Sequence, residues 1–371
     1  MQLYVDAQNG TDTAGQGTSW ATAYATPDFA MEDLWNSHGR DTTTDVDGDV
    51  INCVGTFTFA SSMSPVTSPL AGISRRVTFL SRGLNSVDDG ERCLWKADVG
   101  IWYSTTQEYV GFVGFKFEWN LTSTSQVAIR VDRYCWFYDC LWDGRDASIS
   151  LAAQFHWGNQ LINCKFLNMN CGIGNISIGG LIVGCYVETT AGYSSISFNS
   201  YRNGIIANNT VIVDHQNASG GFGSIVGTAG CQIYGNTVIN RGIKGTNSYG
   251  IRCTTEGVIC ANNYVENASA VVWQSSDVNW FLRNNYYYDC TNKVIDQTYN
   301  PTTDTNWGGV NACVELSSAL YTDPPNDWSI ANQQGIAKRT TSYGGQEYWG
   351  GVQQIADPTV VGELYYPRVR G

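Results

Sequence analysis

The chain has 371 residues and a formal net charge of −12 at pH 7, and only 15% of its residues are charged. The acid excess, with no basic run beyond pairs such as Arg75-Arg76 and Lys338-Arg339, excludes nucleic-acid binding by phosphate neutralisation. Forty Gly, 21 Tyr and 13 Trp describe a turn-rich all-β protein rather than a disordered chain, and no run nears the ~18 apolar residues of a membrane span.

Met1 leads directly into a strand, QLYVDA, without the basic and apolar regions of a signal peptide. The expectation is synthesis in a cytoplasm without export, with secretion as the alternative. In the following loop, "TPDFAMEDLW" sets Pro27 and acidic residues at the head of an apolar-periodic stretch, which predicts a short helix capping the first coil. "DTTTDVDGDV" (41–50) alternates Asp45, Asp47 and Asp49, but an EF-hand would need Gly where Val50 stands and Glu where Thr56 stands. A polar loop is expected there, and neither a metal nor a cofactor. Strands in 48–59, 75–83 and 93–103 supply the first coils.

The regular part runs from about residue 108 to 298. "ANNTV", "YGNTV", "ANNYV" and "RNNYY" place Asn209, Asn236, Asn263 and Asn285 at intervals of 27, 27 and 22 residues. The same slot holds Phe115, Cys140, Cys164 and Cys185 earlier, at intervals of 25, 24 and 21, with 24 more to Asn209. A period of roughly 24 is that of a solenoid and too short for a propeller blade. One unit, residues 223–249, reads as three short strands, "SIVG", "CQIYG" and "TVIN", separated by turns. Three strands per coil predict an all-β right-handed parallel β-helix.

In such a coil each position stacks on itself about 4.8 Å above and below. The Asn column is therefore expected to take the left-handed conformation at a bend and to bond amide to amide up the stack. Cys in the same slot is expected to be a small reduced filler, and the absence of a CxxC pair argues against zinc. After 293–300 the chain becomes irregular and ends in the extended tail "ELYYPRVRG" (363–371). The expected organisation is an N-terminal strand and capping helix over 1–47, a β-helix over 48–300, and a closing segment and tail over 301–371.

"YVDAQNGTDTAGQGTSWATAYAT" (4–26) resembles the opening of pectate-lyase-like right-handed β-helix proteins: a YVD strand, a Gly/Asp-rich loop and an S-x-A-T-A-x-x-T stretch leading to a capping helix. The "NNTV" coils and the late "DWSIANQQGIAKR…GGVQ" (327–353) resemble the same superfamily's coils and closing segment. The resemblance implies the fold across nearly the whole chain. It leaves the activity open among polysaccharide lyases, glycoside hydrolases, epimerases and phage spike, fibre or capsid-associated proteins.

Eight and ten residues before the marker, two adjacent coils bring together Arg130, Asp132, Gln154 and His156 as a candidate acid/base patch. Asp132, His156 and Arg130 are the candidate catalytic residues. A second carboxylate, which glycoside hydrolysis requires, would come from Asp143 or Asp146 in "WDGRDAS". Gln154, Asp143, Trp142 and Trp157 are the candidate binding residues, the tryptophans as rings for a sugar to stack on.

Three readings follow. The first is a phage virion structural protein, a capsid decoration, spike or fibre, partnered by other virion proteins and host-surface polysaccharide and assembled as a homo-oligomer such as a trimer. The second is a polysaccharide lyase or glycoside hydrolase; the third is glycan binding without cleavage. None involves nucleic acid or a membrane.

Overall fold

The structure is a computed structural model that describes residues 1–38, 48–59, 76–83, 91–97, 102–103, 109–119, 127–131, 134–144, 151–155, 158–169, 173–174, 180–189, 198–200, 203–214, 222–255, 257–274, 281–296, 313–323, 327–330, 341–343 and 346–348.

Short strands wind through three sheets whose neighbours are all parallel. Among the described residues the first sheet stacks 11 strands, from Gln2–Asp6 to Phe281–Arg283, and the second stacks 11, from Thr56–Phe59 to Cys313–Glu315. The third has two parts, four strands between Trp102–Tyr103 and Ile173–Gly174 and five between Phe198–Ser200 and Asn292–Asp296. This is the expected right-handed parallel β-helix, the hand that parallel crossovers take. The rungs extend past 48–300 on both sides. Gln2–Asp6 pairs with the strand Asp49–Val54, and Cys313–Glu315 with Asn285–Tyr288.

The strands hold because every second residue points inward onto its counterpart one coil away. In the first sheet that column includes Phe79, Phe112 and Phe137, whose rings stack at 5.1 and 5.3 Å. Toward the C-terminus it narrows to Leu161, Ile182, Ile206 and Ile233, all buried. The helix Pro27–His38 closes the N-terminal end as expected, packing Ala30, Met31 and Leu34 against Leu3, Val5 and Ile51. Thr26 caps it by accepting from the Phe29 amide, and Asp12 holds Thr26 through its backbone and hydroxyl.

The marker column divides its labour differently from the expectation. Asn209, Asn236, Asn263 and Asn285 are fully buried and form the amide ladder, but the left-handed turn falls one residue earlier. Asn208, Asn262 and Asn284 have φ of 56°, 57° and 53°, and Gly235 supplies 66°. A residue that must aim its amide into the core keeps strand geometry, so the bend passes to its neighbour. In "NN" the first Asn turns the chain and the second builds the ladder. Cys140, Cys164 and Cys185 fill the same slot as buried free thiols, with Cys164 Sγ donating to the Phe137 carbonyl at 3.3 Å.

Candidate functional site

Alternation places the residues one and three positions after the marker on the outer face of the second sheet. The column three after it carries Glu118, Asp143, Glu188 and Glu266, and the column one after it carries Lys116, Lys165, Tyr186 and Tyr264. Four carboxylates thus share one column, on a face whose named side chains are buried or half-buried except for Lys165.

Its centre lies on the strands Lys116–Trp119 and Leu141–Asp143, where Glu118 and Asp143 are register partners. Backbones of paired parallel strands lie about 4.8 Å apart, so the two carboxylates face each other across one rung. Lys116 Nζ stands between them, 2.5 Å from Glu118 Oε1 and 3.7 Å from Asp143 Oδ2. Asn168, left-handed where the strand Lys165–Met169 shifts register, donates its amide to Asp143 Oδ1 at 3.0 Å. The two acids differ in access: the Glu118 side chain is 6% exposed and that of Asp143 19%. Glu118 is thus placed to hold the ammonium, and Asp143 to meet a ligand.

The array continues along the axis. Lys165 lies over the Tyr186 ring at 5.3 Å. The Tyr186 hydroxyl donates to Glu188 Oε2, and Arg241 reaches back two rungs to Glu188 Oε1. Burial, and then the Glu188 charge, push the Tyr186 phenol well above its usual range, so it remains a donor at any working pH. Further on, residues 316–321 cross the same face: Leu316, Leu320 and Tyr321 pack on Ile239, Tyr264 and Tyr286. The Leu320 amide donates to the Tyr264 hydroxyl at 3.0 Å, and that hydroxyl donates to Glu266 at 2.6 Å. Burial raises the Glu266 carboxyl. The strap covers this end of the face.

Of the residues singled out from the sequence, Arg130 and Gln154 are direct register partners on the strands Val127–Val131 and Leu151–Phe155 of the third sheet. Their side chains, and Asp132, Asp146, His156 and Trp157 altogether, lie outside the described residues. Trp142 is corrected. Its ring is fully buried between Phe117 at 4.4 Å and Phe166 at 5.5 Å, so it fills the core and offers no face to a sugar. Its place in the inward column, two residues after the marker, dictates this. Asp143 does lie in the array, but beside Glu118 and Lys116 rather than the Arg130 strand. Those two stand in the columns after the marker, on the second sheet, whereas the positions eight and ten before it fall on the third.

No protein-family model matches the chain, and no curated protein matches it. Solved structures similar to it include a PL6-family polysaccharide lyase from Pseudopedobacter saltans, at 14% identity over 83% of this chain and 88% of that one, with a TM-score of 0.45. A GH136 lacto-N-biosidase from Eubacterium ramulus aligns at 8% identity over 85% of this chain and 68% of that one, with a TM-score of 0.44. A pectate lyase aligns at 12% identity over 88% and 83%, with a TM-score of 0.42.

Proposed function

We propose that the protein is a carbohydrate-active β-helix that lays a polysaccharide along the outer face of its second sheet and cleaves a glycosidic bond at Lys116, Glu118 and Asp143. The observation that carries this reading is the single ammonium shared by two carboxylates on register-paired strands. A carboxylate steered by a neighbouring ammonium suits the acid–base work of glycosidic cleavage, exchanging a proton with the bridging oxygen or with the sugar carbon beside it. Asp143, the more accessible acid, is the group in contact with substrate. Lys116 and Glu118 are positioning residues that hold its side chain in place. Lys165, Tyr186 and Arg241 offer donors to sugar hydroxyls further along.

Incubation with a panel of neutral and uronate-containing polysaccharides tests this, following new reducing ends for hydrolysis and unsaturated-product absorbance for elimination. Cleavage of at least one polymer supports the proposal; a folded protein that cleaves none overturns it. The alternative seat of the chemistry is the third-sheet patch of Arg130, Asp132, Gln154 and His156. As the setting we propose a virion, with capsid or tail proteins as partners and host-surface polysaccharide as target. Its support is the acidic composition, suited to a particle exterior, and mass spectrometry of purified particles tests it.

A further inference from the structure

The outer face of the first sheet differs in kind from that of the second. Its inward column is the buried row of Phe79, Phe112, Phe137, Leu161, Ile182 and Ile206, so alternation sends the residues between them outward. Register joins those outward residues into two unbroken columns over eight strands, from Val77–Ser81 to Ile259–Ala261. None of them is charged: three are Thr or Gln, and the rest are apolar, aromatic or Gly. Leu80, Val113, Ile162, Leu181, Val183 and Ile205 are each only half-buried. The second sheet carries Lys116, Glu118 and Asp143 on its own outer face.

The N-terminal part of this strip is aromatic. Trp136 lies across Gly111, its register partner, where any side chain would collide with the ring. The Arg76 guanidinium carbon stands 4.8 Å from the same ring centroid. At the bends entering these strands Tyr109 and Tyr134 stack at 5.2 Å and 12°. They are 36% and 45% exposed, and both hold the left-handed conformation, with φ of 61° and 53°, which costs a bulky residue about 1 kcal/mol or more. Trp, Tyr and Arg bordering an uncharged strip are the residue types that carry protein–protein contacts.

Charge and area select the partner. Two copies at −12 each repel, and this strip is where they meet without setting like charges together or stripping water from ions. Rungs spaced by about 4.8 Å make it ~34 Å long, and with its flanking bends it is ~15 Å across. It covers roughly 500 Å² of each copy, so that two copies reach the ~1,000 Å² at which specific interfaces begin. A two-fold pair uses one patch on both copies, whereas a closed trimer needs two different patches that fit each other.

We propose that the outer faces of the first sheets of two copies pack together about a two-fold axis, forming a homodimer of micromolar affinity. No step of it depends on the cleavage reading.

Sedimentation velocity of the full chain from about 1 to 100 μM tests the pairing. Twice the 40.7 kDa chain mass is expected at the upper end. Val183→Glu, in the middle of the strip, leaves a carboxylate desolvated against an uncharged surface. It should melt as wild type does at low concentration and stay a monomer throughout. Thr291→Glu adds the same charge at an exposed bend off this face, and it should dimerise as wild type does. Leu181→Thr combined with Ile205→Thr adds no charge and keeps residues suited to strands, and it should raise the dissociation constant about tenfold or more. A wild type that is still a monomer at about 100 μM overturns the proposal, whichever other segment or protein then covers the face. So does a trimer, or a folded variant of either kind that dimerises as tightly as wild type.

Discussion

Asn236 donates its side-chain amide to Asn263 Oδ1 at 2.9 Å while its own Oδ1 receives the amide of Asn209 at the same distance. Each buried Asn also gives its second proton to a backbone carbonyl of the preceding coil, Ile206 in the case of Asn236, and accepts a backbone amide from its neighbour. The ladder therefore satisfies core polar groups of consecutive coils at once. Truncating an inner member strands several of them, at ~1–3 kcal/mol each. Asn236→Ala should cost about 4 kcal/mol in denaturant unfolding, whereas Cys185→Ala, which loses only a small side chain and weak sulfur bonds, should cost about 1–2 kcal/mol. Equal losses would mean that the slot asks for volume alone.

The N-terminal cap carries a pH-dependent penalty. Burial of Asp28, with Asp12 beside it, raises its carboxyl from 3.8 to about 6. The folded state then holds this proton more tightly than the unfolded state does. Ionisation opposes folding above about pH 6, and that opposition is relieved as the pH falls toward 4. Asp28→Asn should melt higher than wild type at pH 7.5, and the difference should shrink steadily toward pH 4. A difference that stays constant across the range would remove Asp28 from the account.

The strap over the far end of the second sheet depends on Tyr264, whose hydroxyl serves Leu320 and Glu266 together. Tyr264→Phe keeps the ring packed but leaves the buried Leu320 amide without its acceptor. About 1–2 kcal/mol should be lost, concentrated in the strap. Limited proteolysis should cut near residues 316–321 sooner in the variant, with the coils before residue 300 as resistant as in wild type.

Lys116 balances two acids, so its removal should cost more than its own contacts. Lys116→Met takes the ammonium away from the buried Glu118 carboxylate, at about 3 kcal/mol. Adding Glu118→Gln should recover part of that loss, because the neutral amide no longer needs a counter-charge. A double-mutant cycle in which the two losses simply add would show that the pair is not coupled.

Much of the architecture was legible because a parallel coil repeats itself in the sequence. The spacing of Asn209, Asn236, Asn263 and Asn285 carries the period, and Pro27 marks the capping helix. The left-handed position was misplaced by one residue because "NN" offers two candidates of one type, and only the inward aim of the ladder tells them apart. The site was harder to read. Trp142 looked like an exposed ring until its place in the inward column put it between Phe117 and Phe166. Asp143 was noticed, but its partners Lys116 and Glu118 lie a whole coil earlier in the chain, and only the register of the second sheet brings them to it.

The most direct test of the central claim is a comparison of Asp143→Asn with Asp132→Asn on whichever polysaccharide the wild type cleaves, with melting temperatures measured alongside. The account predicts that Asp143→Asn loses about 100-fold or more in kcat, the scale of a lost acid–base group, at a near-wild-type melting temperature, while Asp132→Asn stays active. An active Asp143→Asn protein beside a silent Asp132→Asn protein would contradict it and move the chemistry to the third sheet.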